Sequence, residues 1–163
     1  ALALYRASAL QDTRYQDEFF DHDFFAYKED VDLAWRLQSA GWDARYVPEA
    51  VAFHYRGMYG PERMGFWARM KNRWTKSPRR SYYSNRNQWL LLMKNLRFVD
   101  IIVGCLWIIP AEITRFGYTL IFETKNLRAF WDALCLVPTM WKKRRVAKKI
   151  RRRPAKELRK WFV

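Results

Sequence analysis

The chain is expected to fold as part of an α/β sheet that continues into basic amphipathic α-helices. Up to residue 60, short apolar runs stand on either side of one acid-led helical pattern, the order of strands with a helix between them. From residue 61 to residue 163 the pattern changes to helical spacing rich in Arg, Lys and Trp. Charge divides at the same place. Six Lys/Arg meet ten Asp/Glu in the first part, 25 meet six in the second, and the whole chain carries +15.

Taken in order, Ala1-Leu2-Ala3-Leu4-Tyr5-Arg6 reads as a buried strand with no turn signal before it, as if the chain began inside a domain. Phe19 to Tyr27 is dense in aromatics. Glu29-Asp30-Val31-Asp32 then precedes Leu33, Ala34, Trp35 and Leu37, with Gly41 following Ala40. Acids leading into helical spacing and a glycine stop describe a helix of about three turns. Ala44 to Val47 and Ala50 to His54, flanking Pro48-Glu49, read as two short strands. Further on, Arg73 to Tyr83 reads as a basic, aromatic loop before Asn85-Arg86-Asn87 and the apolar Trp89 to Met93. Phe98 to Phe122 is the most hydrophobic segment, but Asp100, Glu112, Arg115 and Pro110 interrupt it, so it is expected to lie in a membrane interface and not to cross one. Ala129 to Val137 followed by nine basic residues between Lys142 and Arg153 has the composition of a membrane-surface helix.

Composition narrows the classes. With 50% apolar and 18% aromatic residues the chain is far from the signature of disorder. Its charge predicts attraction to a polyanion, either an anionic bilayer or nucleic acid. The two cysteines, Cys105 and Cys135, sit in apolar runs and read as small buried hydrophobes, without disulfide or zinc spacing. No signal-peptide pattern is seen, and a reducing, cytoplasmic setting fits.

Chemistry concentrates in the acidic helix start. A carboxylate there suits a general base that takes a proton from a hydroxyl, and the helix amino terminus favours its ionised form. Simple capping is the alternative reading of the same residues. The run Phe20-Asp21-His22-Asp23-Phe24-Phe25-Ala26-Tyr27-Lys28-Glu29-Asp30-Val31-Asp32-Leu33-Ala34-Trp35-Arg36-Leu37, then Ala40-Gly41-Trp42 and Tyr46-Val47-Pro48-Glu49-Ala50, closing on His54, is more specific. It resembles the second half of family 2 glycosyltransferases, most of all the rhamnosyltransferase-like and galactofuranosyltransferase-like members with the GT-A fold. A weaker similarity continues through Tyr82-Tyr83, Arg86-Asn87 and Lys94-Asn95.

That resemblance implies a GT-A (nucleotide-diphospho-sugar transferase) sheet, with residues 1–60 as its acceptor-side part and residues 61–163 as a helical, membrane-associated region. It implies Asp30 as catalytic base, Glu29 as its supporting neighbour, and His54 as a ligand of a divalent metal, Mg²⁺ or Mn²⁺. Asp32 reads as a helix cap, and Trp35 and Arg36 as packing residues. The implied activity is inverting transfer from a nucleotide-sugar donor to a lipid-linked or polysaccharide acceptor of the cell envelope, peripheral on the inner face of the cell membrane. No Asp-x-Asp type nucleotide motif is seen, so the isolated chain is expected to be catalytically silent. Two other classes compete: a nucleic-acid-binding module, which leaves the acidic segment unexplained, and an inactive membrane-associated scaffold. No nucleic-acid partner is expected.

Overall fold

The computed structural model describes residues 3–53 and 77–160, and among them it is all helical, with no strand; one isolated bridge joins Tyr15 and Glu18. This overturns the α/β expectation and with it the GT-A sheet. The predicted strands fail for one physical reason, the lack of a partner backbone. Residues 3–6 and 44–53 lie exposed outside helices, with Leu4 at 92%, Tyr46 at 89% and Phe53 at 99% exposure. Apolar alternation reports a side chain's preference, whereas a strand also needs a second strand for its N–H and C=O groups.

Seven helices are described: α1 (Ala7–Thr13), α2 (Glu29–Ser39), α3 (Pro78–Asn95), α4 (Phe98–Phe122), α5 (Arg128–Cys135), α6 (Val137–Lys149) and α7 (Ala155–Arg159). The acid-led helix forms where its spacing predicts. Gly41 at φ +94° ends it, Trp42 N–H reaches the Leu37 carbonyl at 3.0 Å, and Gly41 N–H reaches that of Gln38 at 3.1 Å. This is the Schellman arrangement, and the left-handed φ it needs suits glycine. Trp42 then packs on the cluster of Ala9, Leu33 and Leu37.

The expected loop at Arg73 to Tyr83 is helical from Pro78 onward. Ser77 caps α3, its hydroxyl accepting the Arg80 N–H at 3.3 Å, and Pro78 occupies the first turn, where a missing N–H is tolerated. Helix α3 is the centre of the molecule and packs against α2, α5 and α6. Leu90 and Leu91 meet Phe24, Ala133 and Met140 there, with Trp35, Trp89, Met93 and Leu136 around them. Phe130 stands edge-on between Trp89 and Phe116, at centroid distances of 4.9 and 5.1 Å.

Helix α4 behaves differently. Of its 25 residues only Thr119 is buried, and most of its large apolar side chains face outward. No described helix is long and apolar enough to cross a membrane. The cysteines also depart from expectation, since Cys135 is exposed and Cys105 half-buried.

Buried charge joins the acidic and basic segments. Lys94 Nζ lies 2.6 Å from Asp21 Oδ2 and 2.8 Å from Asp32 Oδ2, with all three side chains essentially inaccessible. Asp32 also accepts from Arg36 Nε at 2.9 Å and from Asn95 Nδ2 at 2.7 Å. Lys143 approaches Asp21 Oδ1 at 2.5 Å, Asp23 at 2.8 Å and Glu18 at 3.3 Å. Asp32 is therefore a node of this network and not a cap. Arg36 is a second node, its guanidinium also donating to the carbonyls of Thr13 and Phe19.

Candidate active site

The segment leading into α2 is strained. After the one-turn 3-10 helix His22–Phe24, Phe25 adopts φ 59° and ψ −60°, and Ala26 N–H closes on the Phe24 carbonyl at 2.6 Å. That is a γ-turn of the rare, strained hand. Tyr27 at φ 69° and Lys28 at φ 70° follow in the left-handed region. Such backbone costs on the order of 1–3 kcal/mol per residue and persists only where the surroundings over-determine it, a condition met most often at active sites and ligand clamps.

Asn87 and Arg86 of α3 do the determining. The buried Asn87 amide donates to the carbonyls of Phe24, Ala26 and Tyr27 at 2.8, 2.7 and 2.7 Å. Arg86 donates to those of Asp23 and Phe24 at 2.5 and 3.2 Å while its guanidinium lies 4.9 Å from the Tyr83 ring. Phe25 stacks on Tyr83 at 5.2 Å.

This loop delivers Glu29 and Asp30 to the first turn of α2. The Asp30 carboxylate is exposed and accepts the Val31 N–H at 2.8 Å. Its charge is felt on one side at Tyr5, whose hydroxyl is pushed up by burial and by Asp30. Glu29 is half-buried, and its Oε2 is buried without a hydrogen-bond partner. Of the two carboxylates, only that of Asp30 is open to solvent. His54 lies outside the described residues.

A cleft of about 230 Å³ opens on the other side of the strained loop, with Tyr27 and Lys28 on one wall and α3 and α4 on the others. Lys28, Arg80 and Arg115 line it, along with the hydroxyls of Ser81 and Ser84 and the carboxylate of Glu123. Lys28 donates to Gln88 Oε1 at 2.5 Å, and its ammonium is pulled below the usual range, first by burial and then by Arg115, against the opposing pull of Glu112 and Asp30. Asp30 is thus within electrostatic reach of the cleft without lining it. None of Lys28, Arg80 and Arg115 was singled out from the sequence, where a lone base in a basic chain carries no signal. Asn87 and Lys94 were visible only as members of the weaker similarity. Among the described residues no group of three His, Cys, Asp or Glu side chains comes together to hold a metal.

Comparison with known proteins bears on this site. The family model described as glycosyl transferase family group 2 matches residues 1–141. An N-acetylglucosaminyl-diphospho-decaprenol L-rhamnosyltransferase of Mycobacterium tuberculosis (strain CDC 1551 / Oshkosh) is 51% identical over 37 residues, covering 23% of this chain and 12% of that protein. The protein of the same name in strain ATCC 25618 / H37Rv matches to the same extent. The aligned part is thus about an eighth of those relatives' length. No solved structure matches the chain.

Proposed function

The chain belongs to glycosyl transferase family group 2, and on that basis we propose that it supplies the catalytic base for moving a sugar from a nucleotide-sugar donor to a lipid-linked or polysaccharide acceptor. The observation that carries this reading is the Glu29-Asp30 pair at the start of α2, presented by a strained loop that Asn87 and Arg86 hold in place. Asp30 takes the proton of the acceptor hydroxyl. The hydroxyl oxygen then forms its bond to the anomeric carbon as the bond to the diphosphate breaks, the electron pair leaving with the nucleoside diphosphate and the anomeric configuration inverting. Glu29 is the supporting neighbour of Asp30 that the sequence resemblance implies.

The lipid-linked acceptor follows the name of the mycobacterial relatives, and the outward-facing apolar side of α4 supports a membrane surface, whose cytoplasmic face is proposed from the sequence resemblance alone. His54 is proposed as a ligand of Mg²⁺ or Mn²⁺ from the sequence resemblance alone. A metal titration tests it: His54→Ala should raise the metal concentration needed for half-maximal turnover, and an unchanged titration removes it from that role.

The base is tested in the full-length enzyme. Asp30→Asn keeps the shape and removes the basicity, so turnover should fall about a hundredfold or more while donor binding persists. Glu29→Gln should be the milder change. Near-normal turnover by the Asp30 variant defeats the assignment, and a reversed order of severity exchanges the two roles.

A further inference from the structure

The cleft beside Lys28 combines two properties that the transfer chemistry above does not use. Its lining holds three cations, Lys28, Arg80 and Arg115, and one carboxylate, Glu123. That carboxylate is already engaged by Asn126 at 2.9 Å. Arg115 pairs with Glu112 at 3.1 Å, but the same Glu112 also accepts from Gln88 at 3.0 Å and Trp89 at 3.1 Å, so one acid is divided among three donors. Burial first, and then Arg115, pulls the Lys28 ammonium below its usual range, against the opposing pull of Glu112 and Asp30. Three cations among serine hydroxyls, outnumbering the carboxylates of Glu112 and Glu123 beside them, form a seat for an oxyanion, and guanidinium groups match phosphate oxygens in pairs.

The second property is the wall that carries Arg115. Ile109, Ile113, Phe116 and Leu120 of α4 recur at helical spacing and are 52%, 65%, 40% and 50% exposed. At about 100° per residue, this apolar stripe lies roughly 100–160° round the helix from Arg115. Single exposed apolar residues need no explanation, but a continuous stripe on one helix does. Charge on one face and hydrocarbon surface on the next call for a ligand with an anionic head and an apolar tail.

We infer that this cleft binds a diphosphate ester bearing an apolar chain, with Lys28, Arg80 and Arg115 on the diphosphate and the α4 stripe along the chain. This rests on the lipid-linked acceptor reading and gives that acceptor its place. A nucleoside diphosphate would share the head-group chemistry but has no tail for the stripe.

Calorimetry with the whole chain tests the assignment, using farnesyl diphosphate, inorganic pyrophosphate, farnesol and uridine diphosphate as probes. Farnesyl diphosphate should bind saturably and at least about tenfold more tightly than pyrophosphate, as burial of several CH₂ groups requires. Lys28→Met and Arg80→Gln should each weaken it about tenfold. Ile113→Asn should weaken farnesyl diphosphate and leave pyrophosphate unchanged. Circular dichroism selects the variants that remain folded, and Arg80, on the half-exposed first turn of α3, provides the substitution least disruptive to packing. Wild-type affinity in the folded cationic variants overturns the inference. So does farnesol binding as tightly as farnesyl diphosphate, or uridine diphosphate binding more tightly, which would make the cleft a donor site. Asp30→Asn should leave farnesyl diphosphate binding intact, so a failure of the base assignment and a failure of this one give different results.

Discussion

Replacing Lys94 with methionine should be among the most destabilising single changes in the chain. The ammonium bridges Asp21 Oδ2 and Asp32 Oδ2 at 2.6 and 2.8 Å, with side-chain exposures of 1%, 1% and 0%. Asp32 keeps Arg36 and Asn95 in the variant, and Asp21 keeps Lys143. One buried carboxylate oxygen nevertheless loses its partner, and the cluster loses a positive charge that no water can replace. Breaking a buried pair from one side costs about 3–5 kcal/mol, about a fifth or more of the stability of an ordinary domain at roughly 5–15 kcal/mol. For a chain of this size the midpoint should fall by about 6–20 °C at ~2–4 °C per kcal/mol. Arg152→Ala provides the contrast, because its pair with Asp12 is 66% and 34% exposed and should be worth less than about 1 kcal/mol. Urea unfolding followed by tryptophan fluorescence measures both. Adding Asp21→Asn to Lys94→Met should recover part of the loss, since the carboxylate oxygen that Lys94 leaves without a partner is Asp21 Oδ2. A Lys94 variant within 1 kcal/mol of wild type, or equal to the Arg152 variant, would refute the network as the source of stability.

Acid stability follows from the same cluster. Burial pushes the Asp21 carboxyl up, but Lys94 and Lys143 together outweigh it and hold it below the ordinary value. Its contribution is therefore fully present above the unfolded pKa near 3.9 and is lost as pH falls toward the lower folded value. Asp21→Asn should flatten the slope of stability against pH below about pH 4 and leave the slope between pH 5 and 8 unchanged. Asn87→Ala removes the three donations that hold the strained loop and should cost about 1–3 kcal/mol while lowering turnover in the full-length enzyme; a variant that is less stable but fully active would separate the loop from catalysis. On vesicles containing anionic lipid, the chain should be only partly released by high salt. Lys142, Arg145, Lys148 and Lys149 are exposed and contribute roughly 1 kcal/mol each, while the apolar side of α4 is indifferent to salt. Complete release at high salt would count against insertion of α4.

How much of this was legible in the sequence depends on the kind of signal. Helix α2 and its stop were readable because Leu33, Leu37 and the Gly41-Trp42 exit are local features, each expressed within one or two turns. The strands were misread because Tyr46, Val47, Val51 and Phe53 carry β-favouring side chains while the backbone there has no strand to pair with among the described residues. Asp32 was misread as a cap because its partners Lys94 and Asn95 lie 62 and 63 residues away, beyond any periodicity. The basic run near the carboxyl end was read as a free lipid-binding cluster. Five of its nine members, Lys143, Arg144, Arg151, Arg152 and Arg153, instead donate to carbonyls or carboxylates within the chain. Two of the carbonyls that close the helical packing, Met93 and Asn95, are reached by Arg144 and Arg151 at 2.6 and 2.8 Å.

These departures share one consequence for the site. Asn87 and Lys94 lie on the same face of α3, two turns apart, and both point at the segment around α2. Asn87 fixes the carbonyls of residues 24, 26 and 27, just before the Glu29-Asp30 pair. Lys94 fixes Asp21 ahead of that loop and Asp32 immediately after the pair. The proposed base is therefore bracketed on both sides by one rigid helix, although its own carboxylate is exposed and free to meet a substrate. Because a seven-residue separation on a helix sets the spacing of the two brackets at about 10.5 Å, a change that shifts the register of α3 moves both together. A change at either bracket alone twists the pair relative to the cleft at Lys28. Asn87 and Lys94 variants should consequently differ in a way that stability alone does not predict: the first alters the approach from the cleft, the second the anchoring of α2 behind the base.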